Sequence, residues 1–424
     1  MPNKMNFTRR TFMKSGSVIL AAPAILRATT VGAQGAPFKI GIVSPQTGPL
    51  SGFGEAEDFV LDGLADTIAG ITNNGAPVAI EIIRKDSQSN PNRASEVAQE
   101  LILNDGVNLI LAKDTPDTTN PVADQAELNE IPCITTNCPW QPYFFGRGGN
   151  PEVGFNYTYH FFWGLEDIIA NFSAMWTASG AAKIVGGLFP NDADGNAWGD
   201  PTLGLPGPLA AQGFTLTDPG RYQTMNNDFS AQIAAFKDAG CEIVTGVMIP
   251  PDFATFWSQA AQQGFAPKVV TIGKALLFPA SVDALGDRAN GLTTEVWWGP
   301  DHPFASSLTG MTARQLADGY IAETGKPWTQ TLGFNHAIYE VALDVVMRAA
   351  DLSDPAAIVA AIAETDLQTI VGPINWKAGP VKNVQRTPMV GGQWQRRDGA
   401  LELHVVDNSQ NPNIPTTGEL QLLG

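Results

Sequence analysis

The chain has 424 residues, 44% hydrophobic and 16% charged, with 43 glycines and 31 prolines, a composition that builds packed cores and excludes a disordered or fibrous protein. At roughly 100 to 200 residues per domain, that length predicts two or three domains. Lys and Arg number 25 against 42 Asp and Glu, a net charge of −17, and a surface of that sign repels phosphate backbones and anionic membranes, which excludes nucleic acid as a partner.

Residues 1–33 read as an export leader. MPNKMNFTRRTFMKSG is basic, SVILAAPAIL is a short apolar run, and VGA ahead of Gln34 supplies small residues for cleavage near Ala33. The apolar run falls short of the roughly 20 residues that span a bilayer. Thr8-Arg9-Arg10-Thr11-Phe12-Met13-Lys14 resembles a twin-arginine signal, which predicts the twin-arginine translocase as export partner and the periplasm as the final compartment. A chance Arg pair in an ordinary leader leads to the same compartment. Removing the leader takes away five cations and no acids, so the balance moves from −17 to −22. Cys133, Cys138 and Cys241 are an odd number for an oxidising compartment, and two readings stay open: a Cys133–Cys138 disulfide, or three buried thiols.

From Phe38 onward short apolar runs alternate with helical ones. Residues 38–45, 78–86, 107–114 and 131–136 read as strands of a parallel sheet buried on both faces. NRASEVAQELILNDG places Ala94, Val97, Ala98, Leu101 and Ile102 on one stripe and predicts a helix that stops at Gly106. After a Gly-rich and aromatic stretch, FFGRGGNPEVGFNYTYHFFWG, read as a crossover, the pattern repeats. Strands are expected at 183–192, 241–250 and 268–275, with helices in DFSAQIAAFKDAG and DFATFWSQAAQQG. LGFNHAIYEVALDVVMRAADL predicts a long amphipathic helix, and 370–406 reads as hairpin material with turns at Gly379-Pro380 and Arg397-Asp398-Gly399. The fold class is therefore α/β, built as two βαβ units.

Signatures of catalysis are missing from the sequence. There is no G-x-S-x-G, no H-E-x-x-H and no G-x-x-x-x-G-K-[ST], and Gly52-x-Gly54 lacks the third glycine of a dinucleotide fingerprint. The four histidines show no metal spacing. The expectation is a protein without enzyme activity, cofactor or metal.

Ligands of open α/β sheets bind beyond the carboxyl ends of the strands. Those ends fall at 45–54, 86–92, 114–118 and after Thr135 in the first unit, and at 189–198, 250–253 and 273–278 in the second. FKIGIVSPQTGPLSGFGE, followed by RKDSQSNPNRASEVAQELILNDGVNLILA and later by KIVGGLFPNDADGNAWG, resembles the Leu/Ile/Val-binding family of ABC-importer substrate-binding proteins, of the type I periplasmic-binding fold. The resemblance covers residues 37–406. It implies two Rossmann-like lobes with mostly parallel sheets, joined by three hinge crossovers. The expected division is 37–157 with about 298–370 for one lobe, and 158–297 with about 371–424 for the other. It also implies a small organic solute (branched-chain amino acid-like, amide or carboxylate) caught in the cleft and delivered to an ABC permease.

The resemblance further implies hydroxyl and amide contacts at Thr115, Asp117, Thr118, Thr135, Thr136 and Asn137, and an aromatic ring from the second lobe at Trp198. Gln46, Phe53 and Pro250 lie at strand ends facing the same cleft. Family members that bind amino acids place an acid where this chain has Lys274, which either turns into the cleft and favours an anion or sits in solvent. Trp140, Tyr143, Phe144 and Phe145, with Tyr157, Tyr159 and Trp163, either line the cleft mouth or pack in the core. Two other classes share the fold: a sensor module coupled to a signalling partner, and an extracellular enzyme.

Overall fold

The computed structural model describes residues 36–423, so the leader lies outside the described residues. Two sheets organise the chain. In the first, six parallel strands run in the spatial order Val384–Gln385, Thr158–Phe161, Cys133–Thr136, Leu109–Lys113, Phe38–Ser44, Ile80–Asp86. The second sheet has seven, in the order Ala400–Asp407, Val390–Arg397, Thr293–Val296, Val269–Lys274, Ile243–Met248, Ile184–Leu188, Thr215–Thr217. Its strands are parallel except Val390–Arg397, which runs antiparallel to both neighbours. The central strands are buried along their whole length, as expected for sheets covered by helices on both faces.

The chain passes between the sheets three times: after Phe161, after Val296 and after Gln385. This makes two α/β lobes joined by three crossovers. Thr158–Phe161 and Val384–Gln385 pair in the first sheet, although the expected boundaries put both with the second lobe. Residues read as crossover thus extend a sheet, with Tyr159 packed on Trp376 and Phe161 stacked on Phe334.

The helix read from NRASEVAQELILNDG runs Pro91–Glu100, capped by the Asn90 side chain on the Asn92 and Arg93 amides. It continues as one wider turn, Leu101–Asp105, and ends at Gly106 with φ 65°. Gln330–Arg348, expected to be amphipathic, is instead buried on nearly every side. Its polar residues are matched: Asn335 accepts from Lys113 Nζ at 2.6 Å, His336 shares a 2.7 Å hydrogen bond with Ser306, and Tyr339 donates to Glu57. Lys113 Nζ also lies 2.5 Å from Glu57, so a buried ion pair ties a strand of the first sheet to the helices Glu57–Ala69 and Gln330–Arg348. The hairpin Val390–Arg397/Ala400–Asp407 turns at Asp398 and Gly399, both with positive φ, the geometry a two-residue loop requires.

The three cysteines are free and buried, which decides for the thiol reading over a Cys133–Cys138 disulfide. Burial in apolar surroundings pushes the Cys133 thiol up to about 12, so it behaves as a small hydrophobe.

Candidate functional site

The carboxyl ends of both sheets face one another across a small cavity of about 30 Å³. Phe53, Thr115 and Asn137 reach it from the first lobe, and Asp194, Trp198, Lys274 and Glu295 from the second. Phe162, Trp163 and Trp297, on the first two crossovers, close its sides. The lobes touch around it: Phe53 meets Phe278 edge to face at 5.2 Å, and the Asp117 carboxylate accepts from the Ala193 amide at 3.3 Å.

Local backbone geometry aims these side chains. Asn137 follows the strand Cys133–Thr136 with φ 71°, and Lys274 ends the strand Val269–Lys274 with φ 67°. Left-handed backbone is tolerated by Asn but uncommon for Lys, and such outliers concentrate where a side chain must be turned toward a site. Next to Lys274, Gly273 has no side chain because Trp198 occupies the space: a Cβ there would sit 2.7 Å from Trp198 Cη2. The helix Ala193–Trp198 is started by Asp192, whose carboxylate accepts from the Gly195 amide at 2.7 Å, and this sets Asp194 and Trp198 on the cavity side.

The charges are dense and buried. Lys274 Nζ lies 2.6 Å from Asp194 and 3.9 Å from Asp192. Burial alone would lower the Lys274 pKa, but the charges of Asp194 and Asp192 and the hydrogen bond to Asp194 raise it, so the ammonium is held charged. Burial pushes Asp194 up to about 6, against the pull of Lys274. Glu295 accepts from the Lys274 amide at 3.1 Å and from Thr294 Oγ1 at 2.9 Å, and burial raises it to about 7. Behind Thr115, Asp114 is likewise raised to about 7 by burial while accepting from Thr118 Oγ1 at 2.8 Å.

Several polar atoms in the cavity wall have no partner within the protein: both side-chain atoms of Asn137, Asp194 Oδ1, and the indole N–H groups of Trp163, Trp198 and Trp297. A buried polar group left unpaired costs about 1 to 3 kcal/mol, so these atoms are open to water or to a bound group placed between the lobes.

Of the residues expected from the sequence, Phe53, Thr115, Asn137, Trp198 and Lys274 line the cavity. The remaining ones do not. Thr118 caps Asp114, and Asp117 bridges to the other lobe. Thr135 bonds Tyr159 O at 3.1 Å and His160 Nδ1 at 2.8 Å, and Thr136 bonds Phe161 O at 2.6 Å, so both hydroxyls serve the sheet. Gln46 is exposed, Tyr159 packs on Trp376 with 5.3 Å between ring centroids, and Pro250 begins the helix Pro250–Gln262. Trp140 donates to Glu166 at 3.0 Å from the helix Trp140–Phe144. Tyr143 stacks on His160 at 4.1 Å, and with Phe144 these rings belong to the core of the first lobe. Trp163 is the ring of that aromatic set that reaches the cavity. Sequence reasoning misses Glu295, Trp297, Asp194 and Phe162. The run TTEVWW, with an acid inside a β-branched and aromatic strand, is the signal that marks the first two. Among the described residues no group of His, Cys, Asp and Glu could hold a metal ion.

A family model described as periplasmic binding protein matches residues 37–400. The chain belongs to that family. No curated protein sequence matches it. Among solved structures it is similar to the leucine-binding protein LivK of Thermotoga maritima, at 20% identity and TM-score 0.70, over 88% of this chain and 99% of that one. A type 1 periplasmic binding protein of Bordetella pertussis Tohama I is similar at 18% identity and TM-score 0.71, over 88% and 100%. So is a solute-binding protein of an ABC transporter from R. palustris, solved with 4-hydroxybenzoate, at 16% identity and TM-score 0.70, over 92% and 97%. These likenesses establish the two-lobed type I fold, and among the described residues no helix is long and apolar enough to cross a membrane.

Proposed function

We propose that the protein is the extracytoplasmic solute-binding component of an ABC importer, exported to the periplasm by its leader, which holds a small organic solute between its lobes and hands it to a membrane permease. The observation that carries this reading is the unpaired Asn137 side chain, buried in the cavity between the lobes that Trp198 and Trp297 also line. Family membership supports it, and so do structural neighbours described as a leucine-binding protein and as a solute-binding protein in complex with 4-hydroxybenzoate. With the lobes apart, the solute meets one wall. Closure adds the contacts of the other, so the solute shifts an existing open-to-closed equilibrium by its preference for the closed form. Periplasmic binding proteins as a class close around their ligands by hinge motion, and the three crossovers are where such a hinge would bend. A thermal-shift screen against amino acids, amides, carboxylates and betaines tests the reading. A solute that binds only the folded chain must raise its melting temperature by mass action, and a screen without any such solute would refute it.

A further inference from the structure

We propose that the solute this cleft selects is a small organic cation bearing N–H donors, an ammonium, amidinium or guanidinium without a free carboxylate, held between Asp194, Glu295 and the indoles of Trp163, Trp198 and Trp297. The inference rests on the solute-binding reading above and names its substrate class.

Charge decides the class first. The charged side chains lining the cavity are Asp194, Glu295 and Lys274, two acids and one base. The base is already engaged, 2.6 Å from Asp194 and with Asp192 at 3.9 Å. Asp117 lies beyond it, bonded to the Ala193 amide, and Asp114 stands behind Thr115. Above about pH 7, where Glu295 is ionised, an incoming carboxylate would therefore enter a buried site of net negative charge with no uncommitted cation, and the attraction between opposite charges at contact is strongest where water is excluded. An incoming cation meets the opposite situation.

Hydrogen bonding offers such a cation two acceptors. Asp194 Oδ1 and Asn137 Oδ1 are buried acceptors without partners, on opposite lobes, and a group carrying two or more N–H donors can satisfy both and so join the lobes. The indoles of Trp163, Trp198 and Trp297 line the same cavity. A cation over an indole face gains about 0.5 to 2 kcal/mol, and a planar amidinium or guanidinium can both stack and donate. Four donor atoms also stand open, Asn137 Nδ2 and the three indole Nε1 groups, and they call for neutral acceptors on the same solute, hydroxyls or carbonyls.

The test is a charge-sorted thermal-shift panel of small metabolites on the purified protein at pH 8. The panel contains one 3-methylbutyl group with four head groups: 3-methylbutylamine, 4-methylpentanamide, leucine and 4-methylpentanoate. It also contains benzylamine, benzamidine and benzoate. The expected result is stabilisation by cations, with a tenfold or greater loss of their affinity in Glu295→Gln, a variant whose melting temperature without solute is unchanged or higher. Stabilisation confined to anions or to zwitterionic amino acids would overturn the cation assignment and leave the solute-binding reading standing. Cation affinity unchanged in Glu295→Gln would also overturn it. Stabilisation by no member of the panel would overturn the solute-binding reading, and this inference with it.

Discussion

Lys274 Nζ sits 2.6 Å from Asp194 Oδ2, with both side chains almost fully buried in the wall between the lobes. The lysine therefore serves the protein's own carboxylate before it serves any solute. That distance turns a residue whose type suggests an anion receptor into part of an acidic wall.

The pair makes a first prediction. Lys274→Met removes the counter-charge of a buried carboxylate, and breaking a buried pair from one side costs about 3 to 5 kcal/mol. Urea unfolding should show that loss, while a bound cation should restore part of it. A variant as stable as the wild type would mean that Asp194 is neutral without the lysine.

Asn137→Gly separates binding from folding. Glycine accepts φ 71° without strain, so stability should hold, whereas the amide that joins the solute to the first lobe is lost. At about 1 to 3 kcal/mol for such a contact, affinity should fall roughly 5- to 150-fold. Unchanged affinity in calorimetry would remove Asn137 from the site.

Much of this architecture is legible in the sequence, and the reason is physical. Strands buried on both faces need unbroken apolar runs, and FKIGIVS, LILAK and VVTIGK are such runs. Shorter or mixed strands escape: Thr158–Phe161 contains a histidine that is buried only because Thr135 and the Cys138 carbonyl bond it. The cleft is legible in outline, since strand ends predict where ligands go, and Phe53, Thr115, Asn137, Trp198 and Lys274 do meet there. The pairing of Lys274 with Asp194 is not legible. The two lie far apart along the chain, and a short helix and a left-handed strand end bring them together. The aromatic run at 140–145 admits two readings, and the bond from Trp140 to Glu166 and the stacking of Tyr143 on His160 decide for the core.

The buried acids make a pH prediction. The folded-state value of Glu295 is about 7 against an ordinary 4.5, so the protonated form is the one folding favours. The stabilisation it contributes is complete below about pH 4.5 and is lost as pH rises through 7. Asp114 and Asp194 act in the same direction, from an ordinary 3.8 to about 7 and about 6. Without solute, Glu295→Gln should therefore gain stability relative to wild type between about pH 5 and 8, read as a smaller drop in melting temperature across that window. Parallel curves for the two proteins would show that Glu295 does not titrate there.

The most direct test of the cleft as a solute site is calorimetric titration of the solute with the largest thermal shift into wild type and Trp198→Ala. Trp198 is buried, lines the cavity and leaves its indole N–H unpaired, so its removal takes away a wall and a donor at once. The account predicts one site per wild-type chain and at least a tenfold weaker affinity in the variant, with both proteins folded by circular dichroism. Equal affinity in the two proteins would place the solute somewhere other than the cleft between the lobes.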